Sequence, residues 1–180
     1  VETSGIIADA KSGATGAGRK AAVPTLFCEV SDNFRAYGLP RHRHTPEMEQ
    51  ELSLVANGDV RLQFTPHLVP MNRGILSTIY TTLKNPHLTL EEAHDAFCRT
   101  WERSPWIRVL PAGTVPETRF VRGSMFCDMG LAVDKRTGRL VILSAIDNLC
   151  RGAAGQALAN ANLMCGLPVD TGMERLAPLA

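Results

Sequence analysis

Two imidazoles and a guanidinium stand together at His42-Arg43-His44, directly ahead of Thr45-Pro46-Glu47-Met48-Glu49-Gln50-Glu51-Leu52. Thr45 suits a helix N-cap, Pro46 the first helical position, and carboxylates follow in the first turn. Asn57-Gly58 supplies a stop, so the spacing predicts a helix over about residues 46–56. Met48, Leu52 and Val55 recur at i, i+4 and i+7, a stripe expected to face a core. The positive end of that helix favours anions, and the imidazoles beside it could move protons. His44 is the candidate acid/base. The bland alternative is a polar cap. Two His are too few to hold zinc, and His67, His87 and His94 stand at no recognisable ligand spacing, so no metal is expected.

A second cluster lies upstream. Lys11-Ser12-Gly13-Ala14-Thr15-Gly16-Ala17-Gly18-Arg19-Lys20 carries three glycines within six positions. Their backbone N–H groups can turn toward an oxyanion without obstruction, Ser12 and Thr15 add hydroxyls, and Arg19 offers a bidentate fork. Gly16-x-Gly18-x-x-Ala21 fits a dinucleotide fingerprint only loosely, because Pro24 and the run Phe27-Cys28-Glu29-Val30 stand where a long helix should begin. The P-loop pattern fails as well, since Arg19-Lys20-Ala21 replaces Lys followed by Ser or Thr. A flexible surface turn is the plain alternative.

Three further segments could reach a pocket. Phe64 to Gly74 reads as a connection fixed by Pro66, Pro70 and Gly74. Arg122-Gly123-Ser124-Met125-Phe126-Cys127-Asp128 could present an arginine, but Cys127 has no neighbouring base to activate it. Asp147-Asn148 begins the last helix as an N-cap, and Gly152 and Gly155 inside that helix suggest close approach by a backbone or ligand.

The elements that must position these groups are strands and hairpins interrupted by helices. Gly5 to Ala10 reads as a buried strand and Lys11 to Ala21 as a loop. Val60, Leu62 and Phe64 alternate with polar residues as a strand, and Gly74 to Lys84 forms a long one. Thr89-Leu90-Glu91-Glu92 is a capping box opening a helix of about 90–102. Ile107 to Leu110 and Thr118 to Arg122 read as strands. Met129 to Val133, the turn Thr137-Gly138 and Leu140 to Ile146 make the clearest hairpin. Asp147 to Cys165 reads as a small-residue helix with Ala153, Ala157, Ala161 and Cys165 on its inner stripe. The order lacks βαβα alternation, which predicts an α+β fold: a mostly antiparallel or mixed sheet with helices on one face.

Composition narrows the function. The 180 residues suffice for one ordinary core, and 44% hydrophobic with 21% charged residues is a globular balance. A net charge of +1 and 6% aromatics leave no footprint for nucleic acid or an anionic membrane surface. No apolar run is long enough to span a bilayer. Five cysteines without a C-x-x-C pair read as reduced thiols of a cytoplasmic protein. The chain begins at Val1, on the run-in to a strand, which suggests an excerpt of something longer.

Taken together, these segments resemble N-acetyl-γ-glutamyl-phosphate reductase. The resemblance rests on Ser12 to Ala21, on Tyr37-Gly38 with His42 to Glu47, on Phe64 to Leu76, on Gly123-Ser124 with Phe126-Cys127-Asp128, and on Ala145 to Leu149 with Gly152 to Ala157, in family order. It implies a C-terminal domain like those of glyceraldehyde-3-phosphate and aspartate-semialdehyde dehydrogenases. It also implies reduction of an acyl phosphate by NADPH through a Cys thioester, with phosphate released and a His acting as acid/base. Carried over by position, it makes His44 catalytic. Ser12, Gly13, Arg19, His42, Arg43 and Glu47 become substrate-binding, and Asn148 and Gly152 cofactor-binding. The resemblance further implies that residues 1–146 form a substrate-binding and dimerisation domain. Residues 147–180 would then be a helix and tail that pack on a Rossmann domain, the whole assembling as a homodimer or homotetramer. The family's nucleophile segment and Rossmann half do not occur here, Met125 replaces an expected Asn, and Arg151 a usual Lys. The isolated chain is therefore expected to be inactive. A non-catalytic assembly module and a small His-based metal-binding protein are the alternatives.

Overall fold

In the computed structural model, which describes residues 1–178, one mixed sheet of seven strands organises the chain. The strands are β1 (Ile6–Gly13), β2 (Arg35–Ala36), β3 (Leu62–Val69), β4 (Ile75–Thr82), β5 (Ile107–Val109), β6 (Cys127–Asp134) and β7 (Arg139–Ile146), in the spatial order β2-β3-β1-β4-β7-β6-β5. The helices are α1 (Phe27–Val30), α2 (Thr45–Ala56), α3 (Leu90–Trp101) and α4 (Gly155–Met164). No helix among the described residues is long and apolar enough to cross a membrane.

Strand alternation divides the sheet into two unlike faces. On one, α3 packs Ala93 and Phe97 against Leu83, Leu131, Leu140 and Ile142. Thr89 starts that helix with the expected reciprocal cap: its hydroxyl accepts from the Glu92 N–H at 3.1 Å, and the Glu92 carboxylate accepts from the Thr89 N–H at 2.8 Å. Phe64, in register with Ala8 and Ile79, lies on this face too. The opposite face carries Asp9, Lys11, His67, Leu76, Tyr80, Val141 and Leu143.

Several expectations are corrected. The strand from Gly5 does not give way to a loop at Lys11. It runs on to Gly13, whose N–H donates to the Gly74 carbonyl at 2.8 Å. Pro66 does not break β3. Its carbonyl accepts from the Tyr37 N–H at 3.0 Å, so its missing N–H also points toward the two-residue edge strand β2, where no donor is needed. Thr118 to Arg122 contains a 3-10 turn, Thr118–Phe120, instead of a strand; the Phe120 carbonyl is taken by the Arg108 guanidinium at 3.2 Å.

The stripe Met48, Leu52 and Val55 does not enter a core: Val55 is 89% exposed and no residue of α2 is buried. That helix docks through polar groups instead. Ser53 Oγ accepts from the Val60 N–H at 2.9 Å, and Glu49 accepts from the Leu62 N–H at 3.3 Å. The expected inner stripe of the last helix is likewise outside. Ala153, Ala157, Ala161 and Cys165 are exposed, while Gly155, Ala159 and Asn162 are buried. Asn162 sets that orientation by donating to the carbonyls of Val169 and Thr171 at 3.1 and 3.0 Å.

Candidate active site

The glycine-rich segment, the β3–β4 connection and the start of the last helix meet at one end of the sheet. β1 ends at Gly13 beside Val69, and the chain then makes a 3-10 turn, Ala14–Ala17. A Cβ on Gly13 would lie 2.9 Å from the Met71 carbonyl oxygen and 3.1 Å from the Arg73 nitrogen, so only glycine lets the two backbones approach this closely. The Ala14 N–H donates to the Met71 carbonyl at 2.9 Å, and the Thr15 hydroxyl donates to the Asn72 carbonyl. Asn148 clamps both segments: its Oδ1 accepts from the Gly74 N–H at 2.8 Å and its Nδ2 donates to Thr15 Oγ1 at 3.0 Å. Gly16 stands against the Asn148 amide and the Ser12 hydroxyl.

Asp147, fully buried, anchors the clamp. Its Oδ1 accepts from the N–H groups of Leu149 and Cys150 at 2.8 and 2.7 Å, and its Oδ2 accepts from the Gly123 N–H at 2.7 Å. Arg73 Nη1 stands 3.6 Å from Oδ1. Burial pushes this carboxyl up. The three N–H groups, together with Arg73, outweigh that and hold its pKa below the usual carboxylate value. The N-cap expected at Asp147 or Asn148 is not there: Leu149 takes that place ahead of a π-turn, Cys150–Ala154, and α4 proper follows, while Asp147 binds the Leu149 and Cys150 N–H groups from outside the helix. Such turns widen the helix and open its backbone, as at the exposed Gly152.

Asn148 therefore sits beside Thr15 and Gly16 of the glycine-rich turn, while Gly152 lies against Asp147 and Ile146. Asn148 is only 5% exposed and both ends of its amide are satisfied within the chain, so it braces the site. Arg19 is exposed and makes no ion pair or hydrogen bond among the described residues. Asn72 and Arg73, which the sequence reading treats as a strand connection, are full members of the cluster. Their only local signal is two polar residues before Gly74, between strands. Met125, where the resemblance leads one to expect Asn, is 1% exposed and packs with Trp106, Ala159 and Met173. Arg151 lies over the Trp106 ring at 5.5 Å.

The His pair forms a separate cluster. His42 makes edge contacts with Tyr37 at 5.6 Å, Phe64 at 5.2 Å and His44 at 5.0 Å between centroids. Its Nδ1 accepts from the His44 backbone N–H at 3.3 Å, which places the proton of the neutral ring on Nε2. Burial, then the neighbouring His44 and Arg43 charges, lower the His42 pKa, and burial raises that of Tyr37. His44, not Thr45, occupies the helix cap, with no side-chain capping bond; Thr45 is the first helical residue. The His44 ring is exposed, as are Arg43 and Glu47. Phe64 precedes Val69 by five residues, so about 17 Å of strand lies between the ring under His42 and the β3 end beside Gly13. Among the described residues no hydrogen bond or ring contact joins the two clusters.

Neither half-buried thiol is an activated nucleophile. Burial raises the Cys127 pKa, with Arg151 opposing and Asp128 adding. Burial and then Asp147 raise that of Cys150, with Arg73 opposing.

Comparison with known proteins gives the family and the fold. The family described as semialdehyde dehydrogenase, dimerisation domain, matches residues 1–148. N-acetyl-gamma-glutamyl-phosphate reductase of Geobacter sulfurreducens is 57% identical over 178 residues, covering 98% of this chain and 51% of that protein. The protein of the same name from Desulfotalea psychrophila is 53% identical over 180 residues, covering 99% and 51%. The chain thus spans about half the length of the curated relatives it matches. Among solved structures, aspartate semialdehyde dehydrogenase II of Vibrio cholerae superimposes with a TM-score of 0.68 at 17% identity, over 89% of this chain and 54% of that one. A probable aspartate-semialdehyde dehydrogenase from Pseudomonas aeruginosa gives 0.68 at 13%, with the same coverage. These likenesses establish the fold expected from the sequence, a C-terminal domain of semialdehyde dehydrogenase type. With the family match running from Val1 through the clamp residue Asn148, the chain belongs to the semialdehyde dehydrogenase dimerisation-domain family.

Proposed function

We propose that this chain is the substrate-binding and dimerisation part of a reductase that converts N-acetyl-γ-glutamyl phosphate, with NADPH, to the γ-semialdehyde and phosphate. The observation that carries the reading is the Asn148–Asp147 clamp. It gathers the glycine-rich turn, Arg73 and the opened π-turn at one end of the sheet, in a chain 57% identical to a protein of that name.

The roles follow from the chemistry of the groups. The Ser12 hydroxyl, beside Gly13 and Gly16, offers a donor to an oxyanion, the N–H groups of Gly13 and Ala14 being taken by Gly74 and Met71, and Arg19 adds an exposed guanidinium. The exposed Gly152 leaves a surface without a side chain, where a planar nicotinamide could lie. Asn148 holds that surface against the glycine-rich turn, so these residues fit one corner of a cofactor site. The cofactor, when bound, supplies the hydride. We place the remaining cofactor contacts, and the attacking thiolate, in a nucleotide-binding half such as the relatives' greater length allows. His44, open at the positive helix end, is the ring that exchanges a proton with a ligand. His42 holds it in place and stays neutral. Arg43 and Glu47 flank the same helix start and complete the proposed substrate surface. Since the two clusters are separate within this chain, the nucleotide-binding half and the bound ligands would have to span the distance between them.

The sheet face that carries Tyr80, Val141 and Leu143 is the proposed interface with a second copy. The exposed apolar residues Leu158, Leu163 and Met164 of α4 are the surface for the nucleotide-binding half.

A chimera tests the reading: the N-terminal half of the Geobacter sulfurreducens relative joined to this chain. We expect NADPH oxidation that depends on the acyl phosphate, and an oligomer by light scattering. The chain alone should be inactive. A folded, oligomeric chimera without activity, beside an active Geobacter parent, would overturn the reading.

A further inference from the structure

His42 lies in a seat that leaves its ring little freedom. Tyr37, Phe64 and His44 each meet the imidazole edge-on, at 5.6, 5.2 and 5.0 Å between centroids. The seat is built on β3. Phe64 belongs to that strand, and the Tyr37 N–H donates to the Pro66 carbonyl further along it at 3.0 Å. Gly38 then turns the chain with a φ of +68°, in the left-handed region. A Cβ there would lie 2.8 Å from His42 Cδ2 and 3.5 Å from Cγ, so only glycine leaves the ring where it stands.

The seated ring ties down its neighbour. His42 Nδ1 accepts from the His44 N–H at 3.3 Å, so the backbone that starts α2 is held by the imidazole. The charged groups around His42 are His44 and Arg43 of its own turn, and both oppose a proton on it. The elements packed against it bring the Phe64 ring and the Tyr37 phenol, which burial keeps protonated. Among the described residues no carboxylate pairs with His42, so nothing draws a second proton onto the ring. The Tyr37 hydroxyl makes no hydrogen bond among those residues either, so Tyr37 acts through its ring.

We propose that Gly38 and Tyr37 are positioning residues for His44: they seat the His42 ring so that its Nδ1 fixes the start of α2 and leaves the His44 imidazole exposed at the positive helix end. Gly38 does so by leaving space, and Tyr37 by closing one side of the seat. Both act through His42. A side chain on Gly38 would turn the His42 ring and release the His44 N–H, and a proton-transfer group displaced by about 1 Å can lose up to about 100-fold in rate. Their catalytic meaning rests on the reading of His44 as the acid/base, whereas the seat itself can be observed in this chain alone.

Heteronuclear NMR of the histidine rings in the purified chain tests the seat, with the His42 signal assigned through His42→Asn. In the wild type His42 should show one neutral tautomer, protonated at Nε2, and should titrate below the ordinary His value of about 6.5. Gly38→Ala and Tyr37→Ala should mix the tautomers and return the titration toward that value. Tyr37→Phe keeps the ring and should match the wild type. Gly138→Ala controls for backbone strain. That glycine has a φ of +66° with nothing within 4 Å of a new Cβ, so its variant carries the strain without the overlap and should leave His42 unchanged. In the active chimera, Gly38→Ala and Tyr37→Ala should lower kcat about 10- to 100-fold with KM held within about twofold, and Tyr37→Phe should keep the wild-type rate. A folded Gly38→Ala with the wild-type tautomer and titration would overturn the proposal. So would a Tyr37→Phe that behaves like Tyr37→Ala, or a wild-type kcat in variants whose His42 signal has changed. If Gly38→Ala fails to fold, the two Tyr37 variants decide. An inactive chimera in which His42 keeps the single seated tautomer would fail the reductase reading and leave the seat standing.

Discussion

Replacing Asp147 by Asn tests whether the clamp is held by charge. The carboxylate is fully buried and accepts three backbone N–H bonds of 2.7–2.8 Å, two at Oδ1 and one at Oδ2. An amide keeps one oxygen. If that oxygen stays with Leu149 and Cys150, the new NH2 group faces the Gly123 N–H, donor against donor; the flipped amide faces two. One charged bond is lost outright, at about 1.5–3 kcal/mol, and the remaining two fall to neutral strength. The total is about 3–5 kcal/mol. At about 2–4 °C per kcal/mol for a chain of this size, Tm should fall by roughly 10 °C.

The pH dependence has a definite sign. The folded pKa is depressed, so the stability contributed by Asp147 is present above the unfolded value of about 3.9 and is lost as pH falls through the folded value. Asp147→Asn should therefore lose stability at neutral pH and show a shallower acid limb below pH 4. Asp134→Asn is the control. That carboxylate also accepts backbone N–H groups, from Arg136 and Thr137, but in the exposed β6–β7 turn, where water replaces them, so its effect should be small. Thermal melts at pH 7 and at pH 3 to 4 measure both. A Tm for Asp147→Asn within about 2 °C of wild type at pH 7 would refute the argument that the charge holds this corner.

Gly155→Ala should destabilise despite the helical preference of alanine, because the new Cβ would overlap the Met125 sulfur and lie 2.8 Å from the Cys150 carbonyl oxygen. A cost of about 1–3 kcal/mol is expected from denaturant melts, against a gain near 1 kcal/mol if the site had room. In the active chimera, His44→Asn should reduce turnover by about 10²–10⁴-fold, with a smaller loss for His42→Asn; equal, wild-type rates in both would remove the pair from the chemistry. The lowered pKa of His42 means that the neutral ring is favoured in the fold, so its share of stability is present above about pH 6.5 and is lost as pH falls through the lower folded value. Arg19→Lys loses the bidentate fork, so KM for the acyl phosphate should rise while the melting curve stays unchanged; an unaltered KM would return the loop to an ordinary surface turn.

What the sequence alone determined is what neighbours along the chain decide. The Thr89–Glu92 cap, the β6–β7 hairpin and the long strand β4 depend on groups a few residues apart, and all three formed where expected. The α+β class followed from their order. Tertiary structure decided the rest, because each remaining feature depends on a partner distant in sequence. β3 passes through Pro66 because its neighbour on the N–H side is only a two-residue edge strand. The apolar stripe of α2 stays in solvent because Ser53 and Glu49 find backbone N–H groups at Val60 and Leu62. Asn72 and Arg73 join the site because Asn148 and Asp147, more than seventy residues later, hold the segment that carries them. Such contacts leave no period or cap in a linear sequence: hydrogen bonding satisfies the buried groups at each point, but only the folded chain specifies which groups meet.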